Sequence, residues 1–96
     1  MIASFGDKAT EDLYHGRQTK RVRQFPPDVA IIALRKLDVM RAAHRLQDLR
    51  SPPGNHLEAL TKDRVGQHSI RINKQWRVCF VWTDKGPANV EIVDYH

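Results

Sequence analysis

The closing run Asp94-Tyr95-His96 gathers three ionisable or hydrogen-bonding side chains at one end of this chain. A carboxylate, a phenol and an imidazole in succession supply proton donors and acceptors near neutral pH. They follow Val90, Ile92 and Val93, a sheet-forming run, so the trio sits at the tip of an expected strand. Strand ends are commonly polar and termini commonly fray. The tripeptide therefore takes its meaning from what the rest of the chain sets beside it.

The elements that must position these groups divide the chain in two. Residues 1–50 read as helical, apart from a short apolar start at residues 2–5 that suits an edge strand. Asp7 caps a short helix running to Tyr14, with Gly16 as its stop. Residues 17–23 form a basic connector. Pro26 and Pro27 open a longer helix, where a missing N–H costs nothing. Within it Val29, Ala33, Leu37, Met40 and Ala43 recur at helical spacing and make an apolar stripe. A short turn over Leu46–Arg50 ends at the breaker Ser51-Pro52-Pro53-Gly54.

Residues 55–96 read as β-structure. Leu57 and Leu60 bracket a short strand. Residues 67–72 and 76–83 form two more, joined through Asn73-Lys74-Gln75. Asp84-Lys85-Gly86-Pro87 is a second turn, and the last strand begins near Ala88. The expected fold is α+β, with helices covering one face of an antiparallel meander.

Alternation along the strands sorts the side chains by face. Ile70 and Ile72 align with Trp76, Val78, Phe80 and Trp82, so both tryptophans belong to the core side. Ser69, Arg71, Arg77 and Cys79 take the other face. This register sets Arg71 across from Arg77, a like-charge pair that destabilises by up to about 1 kcal/mol. Either an anion sits between the two guanidinium groups or both splay into solvent. Pairing Phe80 with Ile92 and Trp82 with Val90 brings Tyr95 opposite Arg77. Asp94 and His96 then point to the helix-covered face.

Length and composition suit one domain over residues 1–96 with one small core. No apolar run reaches the roughly 20 residues of a membrane span, and the N-terminus lacks a secretory pattern. The lone Cys79 has no internal partner, which fits a reducing cytoplasm. Lys and Arg total 16 against 11 Asp and Glu, and the net charge of +5 favours a polyanionic or acidic partner. His15, His44, His56 and His68 lack the spacing of a zinc site, so neither a metal nor a cofactor is expected. Ser69 has no partner arrangement that marks a nucleophile.

Three stretches together carry a family resemblance: Arg50-Ser-Pro-Pro-Gly-Asn-His-Leu-Glu-Ala-Leu, Gly66-Gln-His-Ser-Ile-Arg-Ile-Asn-Lys-Gln-Trp-Arg-Val-Cys-Phe, and Asn89-Val-Glu-Ile-Val-Asp-Tyr-His. They resemble the HigB toxins of the RelE-like superfamily of bacterial toxin–antitoxin systems. The likeness covers essentially all of residues 50–96 and is weaker before them. It implies helices packed on a curved antiparallel sheet. It also implies a metal-independent endoribonuclease that cuts messenger RNA in the decoding site of the 70S ribosome. A cognate helix-turn-helix antitoxin (HigA-like) restrains such toxins, and operator DNA is reached only through it.

By that resemblance Arg77 matches the strand arginine that neutralises the phosphate, and Asp94, Tyr95 and His96 match the terminal catalytic group. Arg71 joins them on the face argument. His96 is the candidate acid and Glu58 the candidate base, at a position where some relatives carry His. Lys62, Arg64 and Lys74 are expected to make sequence-independent phosphate contacts. The rival is a non-catalytic binder of DNA gyrase or the ribosome on the same fold, which has no use for the Arg77–Tyr95–His96 set.

Overall fold

The computed structural model describes residues 1–95. His96 lies outside the described residues. Three α-helices come first: α1 (Lys8–Tyr14), α2 (Lys20–Arg23) and α3 (Pro27–Ala42). Four strands follow: β1 (Glu58–Ala59), β2 (His68–Arg71), β3 (Trp76–Thr83) and β4 (Gly86–Asp94). They pair antiparallel in the order β1-β2-β3-β4. The helices pack on one face of this sheet, which is the α+β layout read from the sequence.

Each helix begins where its cap chemistry dictates. The Asp7 carboxylate accepts from the Thr10 N–H and starts α1, and the chain leaves that helix through Gly16 at φ +73°. Pro27 opens α3, and Val29, Ala33, Leu37 and Met40 turn inward to full burial. They meet Ile70, Val78, Phe80, Val90 and Ile92 from the sheet, while Trp76 and Trp82 pack at the margin of this core. Burying each large aliphatic or aromatic side chain contributes roughly 1.5–3 kcal/mol. One well-filled face therefore frees the other face for polar work.

Four expectations need correction. Residues 17–23 are not a plain connector, because Thr19 caps α2 by accepting from the Val22 N–H and Val22 is buried. The Asp12 carboxylate organises this turn. It accepts from Arg17 Nη1 at 3.1 Å, Thr19 Oγ1 at 3.0 Å and Arg21 Nη1 at 3.2 Å. Burial alone raises an Asp, yet these donors and charges outweigh it and hold the Asp12 carboxyl below its usual range.

Residues 2–5 form no strand of their own. They run parallel along the edge of β4 through one Phe5–Val90 bridge, with Ala3 N–H on Pro87 O (2.8 Å) and Gly6 N–H on Val90 O (2.8 Å).

The remaining two corrections concern β4. The strand starts at Gly86, because Thr83 pairs with Gly86 and only Asp84-Lys85 turns between them. Gly86 takes φ +104°, a value that suits glycine. Its register is also two residues from the expected one: Val78 faces Ile92, Arg77 faces Val93 and Trp76 faces Asp94. A bulge between Cys79 and Val81 absorbs an extra residue on β4, where Asn89 adopts φ +51°. The shift of two keeps residues 91–94 on their expected faces, and beyond the bulge the pairing moves one residue more, so that Trp82 faces Pro87.

Candidate active site

The polar face of the sheet gathers Glu58 from β1, Ser69 from β2, Arg77 from β3 and Tyr95 just past β4. Arg77 is the centre. Its Nε donates to Ser69 Oγ at 2.7 Å, and its Nη2 donates to the His56 carbonyl at 2.9 Å. The same Nη2 lies 3.0 Å from Glu58 Oε1. The Tyr95 ring takes the guanidinium at 5.9 Å from its centroid. Only 14% of the Arg77 side chain is exposed, against 53% for Glu58. The arginine is locked and the carboxylate is loose. Among the described residues no acceptor takes the Arg77 Nη1 group.

Chain geometry explains why these groups meet. Arg77 and Ser69 share a face because Ser69 pairs with Cys79, two residues along β3. Tyr95 does not sit directly across from Arg77, since its N–H donates to Gln75 O at 2.6 Å. It reaches the guanidinium as a diagonal neighbour instead. The His56 carbonyl is aimed by a left-handed backbone at φ +45°. Behind it, Asn55 is fully buried and donates to Leu49 O at 3.1 Å and Ser51 O at 3.2 Å. Its own Oδ1 accepts from Lys36 Nζ of α3. Burial pushes that ammonium down from the usual lysine range. A helix thus anchors the loop that holds the arginine.

The other expected residues fall as follows. Arg71 pairs with Arg77 through the backbone, but its Nε donates to Asn73 O at 3.1 Å. Both guanidinium groups thus have protein acceptors, and no anion is needed to explain the pair. Asp94 shares the register face of Trp76, and its carboxylate accepts from Gln75 Nε2 at 3.0 Å. Lys62 and Arg64 line a hollow of about 340 Å³ together with Thr61, Asp63 and Tyr95. Arg64 is itself paired with Glu91 at 2.8 Å and donates to Gln67 Oε1 at 3.0 Å. Lys74 is exposed in the β2–β3 turn.

Sequence reasoning missed Ser69 and the His56 carbonyl as the groups that hold Arg77. The alternation that put Ser69 on the arginine face carried the signal for the first. Nothing in residue types announced the second. Cys79 is buried beside this cluster, and burial pushes its thiol up, which suits an inert side chain. Among the described residues no group of three or more His, Cys, Asp or Glu comes together as a metal would require. Among the described residues no helix is long and apolar enough to cross a membrane.

Comparison with known proteins bears on what this arrangement serves. Residues 3–96 match the family described as RelE-like toxin of type II toxin-antitoxin system HigB. The chain is 42% identical over 96 residues to Toxin HigB-1 of Vibrio cholerae serotype O1, covering 100% of this chain and 98% of that one. It is 37% identical over 67 residues to an uncharacterized protein of Haemophilus influenzae, covering 70% of this chain and 66% of that one. A locked arginine flanked by a carboxylate and a phenol on an α+β scaffold therefore stands in a family with a defined role, and the chain belongs to the HigB family of RelE-like toxins of type II toxin–antitoxin systems.

Proposed function

We propose that this toxin is a ribosome-dependent messenger RNA endoribonuclease that works by attack of a ribose 2′-hydroxyl on the adjacent phosphate. The observation that carries the reading is Arg77, fixed by Ser69 and the His56 carbonyl and still holding an Nη1 group for a phosphate oxygen. A donor set in place before the reaction stabilises charge that builds on the non-bridging oxygens, and in such sites this is often the main source of rate enhancement.

Glu58 takes the 2′-hydroxyl proton, the O2′–P bond forms, and the P–O5′ bond breaks. His96 gives its proton to the departing O5′. The products are a cyclic phosphate and a 5′-hydroxyl. Tyr95, 38% exposed, stacks on a base or orients the nucleophile, and Asp94 favours the protonated form of His96. Lys62, Arg64, Lys74 and Arg71 hold the strand around the reacting phosphate. No metal enters any step. The partners are the 70S ribosome, its messenger RNA, and a helix-turn-helix antitoxin through which alone operator DNA is engaged. The setting is the cytoplasm.

Primer extension on transcripts after brief induction tests this reading. His96→Ala should lower cleavage about 10²–10⁴-fold, the scale of a lost general acid, while ribosome binding persists. Growth arrest should vanish with cleavage. A folded His96→Ala variant that arrests growth as well as the parent removes the acid from the mechanism. If Arg77→Ala behaves likewise, the nuclease reading gives way to a non-catalytic inhibitor of gyrase or the ribosome.

A further inference from the structure

Lys36 of α3 is a charge that the chemistry above leaves unused. Its ammonium is drawn partly out of water to reach Asn55 Oδ1, 19 residues along the chain. Among the described residues it forms no ion pair. A half-buried cation without a counter-charge is unfavourable for the fold. The gain lies in what it holds. Asn55 suits this place because a carboxamide both donates and accepts. Its Nδ2 serves Leu49 O and Ser51 O while its Oδ1 takes the ammonium. A cation on Oδ1 polarises the amide and strengthens both donations.

The Asn55 N–H is taken as well, by Pro52 O at 2.9 Å, so the residue before His56 is fixed by side chain and backbone alike. His56 itself sits at φ +45°, which a residue with a Cβ keeps only where its surroundings impose it. That conformation sends its carbonyl to Arg77 Nη2. The contact decides which nitrogen faces a substrate. Ser69 Oγ holds Nε, and a planar guanidinium held there alone can turn about its Nε–Cζ bond and exchange Nη1 with Nη2. The His56 carbonyl keeps Nη2 on the protein side, with the more exposed Glu58 as a looser second tie.

We infer that Lys36 and Asn55 are positioning residues for Arg77, acting through the His56 carbonyl to keep Nη1 turned toward the phosphate. Helix α3 and the polar face of the sheet then work as one unit, although no side chain of the helix touches the substrate. The consequence for rate rests on the nuclease reading, whereas the hold on the guanidinium does not.

Side-chain nitrogen spectra of the labelled protein read the hold directly, because a guanidinium that turns slowly gives separate Nη1 and Nη2 signals and a free one gives a single average. Arg77 should show separate signals in the parent and one in Lys36→Met, a change that keeps helix propensity and so keeps the fold. Lys36→Arg, which restores a donor to Asn55 Oδ1, should separate them again. Asn55→Asp, which loses both donors, should merge them. Asp12→Asn loosens the fold elsewhere and should leave them apart. On ribosome-bound messenger RNA, Lys36→Met should lower kcat about tenfold, short of the roughly 10²-fold of a 1 Å misplacement, with KM within about twofold of the parent. Lys36→Arg should recover the rate. Separate signals in a folded Lys36→Met variant overturn the inference, as does one averaged signal in the parent or in Asp12→Asn. Merged signals with unchanged kcat overturn it too. A parent that shows the hold but cuts no messenger RNA overturns the nuclease reading and leaves the contact standing.

Discussion

Two arginine–carboxylate clusters in this molecule use the same chemistry with burial reversed. At the α1–α2 turn the Asp12 carboxylate is 4% exposed and its partners Arg17 and Arg21 are 51% and 56% exposed. On the sheet the arginine is the covered member and Glu58 the open one. In the first cluster a buried anion requires its cations, and removing them leaves an uncompensated charge. In the second the cation is fixed by neutral groups, and its carboxylate partner can be exchanged for another anion. The first arrangement serves the fold and the second is suited to a ligand.

Substitutions separate the two clusters, and the largest expected effect falls on the sheet. Arg77→Ala should reduce cleavage about 10²–10³-fold, the scale for loss of one charge-stabilising donor, with ribosome binding retained. Arg77→Lys should recover little of it, because an ammonium lacks the fork that engages Ser69 and a phosphate together. Full activity in Arg77→Lys would mean that charge alone suffices and that the locked geometry is incidental.

Glu58→Gln comes next. Loss of a general base should cost about 10²-fold or more in cleavage. Arg77 keeps its Ser69 and His56 acceptors and Glu58 is more than half exposed, so thermal stability should scarcely move. Inorganic phosphate, titrated by chemical shift at Arg77, should bind more tightly once the competing carboxylate is neutral. Unchanged phosphate binding would show that Glu58 does not compete for the guanidinium.

Asp12→Asn should do the opposite, lowering the melting temperature while cleavage per folded molecule stays at the parent level. A stable Asp12→Asn variant with impaired cleavage would erase the contrast between the clusters.

The smallest effect is in the pH profile. The folded Asp12 carboxyl lies below its ordinary value, so its stabilisation is complete above the normal carboxylate range of about 4 and fades as pH falls through the lower folded value. Asp48 contributes with the same sign, because its carboxylate accepts from the His44 and Arg45 N–H groups. Stability measured from pH 6 downward should therefore fall less steeply in Asp12→Asn than in the parent.

Much of this layout is written in local chemistry. Asp7, Gly16, Pro26 and Pro27 mark helix ends because each has a conformational reason to stand there, and alternating apolar residues give β3 its observed span of Trp76–Thr83. The α2 turn was obscured because its basic residues look like a tether, whereas Thr19 and the buried Asp12 give it order through contacts across the chain. The β3–β4 register was obscured because a bulge at a left-handed Asn89 leaves no mark in an apolar pattern. Face assignments survived the shift over residues 91–94, so Arg77 and Tyr95 were legible as neighbours, whereas Glu58 joined them only through the family resemblance. That a backbone carbonyl also holds the arginine depends on loop geometry, which residue types do not encode.

The seam between residues 3–6 and β4 has a consequence for the time course of folding. Ala3 bonds to Pro87 and Gly6 to Val90, contacts that span nearly the whole chain. Such distant pairings close late and slow the search, since loop entropy is lost before the contact repays it. The strand they secure also leads into Tyr95, beside Arg77. A chain still emerging from synthesis can hold its helices and β2–β3 hairpin with the arginine side of the site half built. The Arg77–Tyr95 cluster is therefore complete only once the last strand is in place.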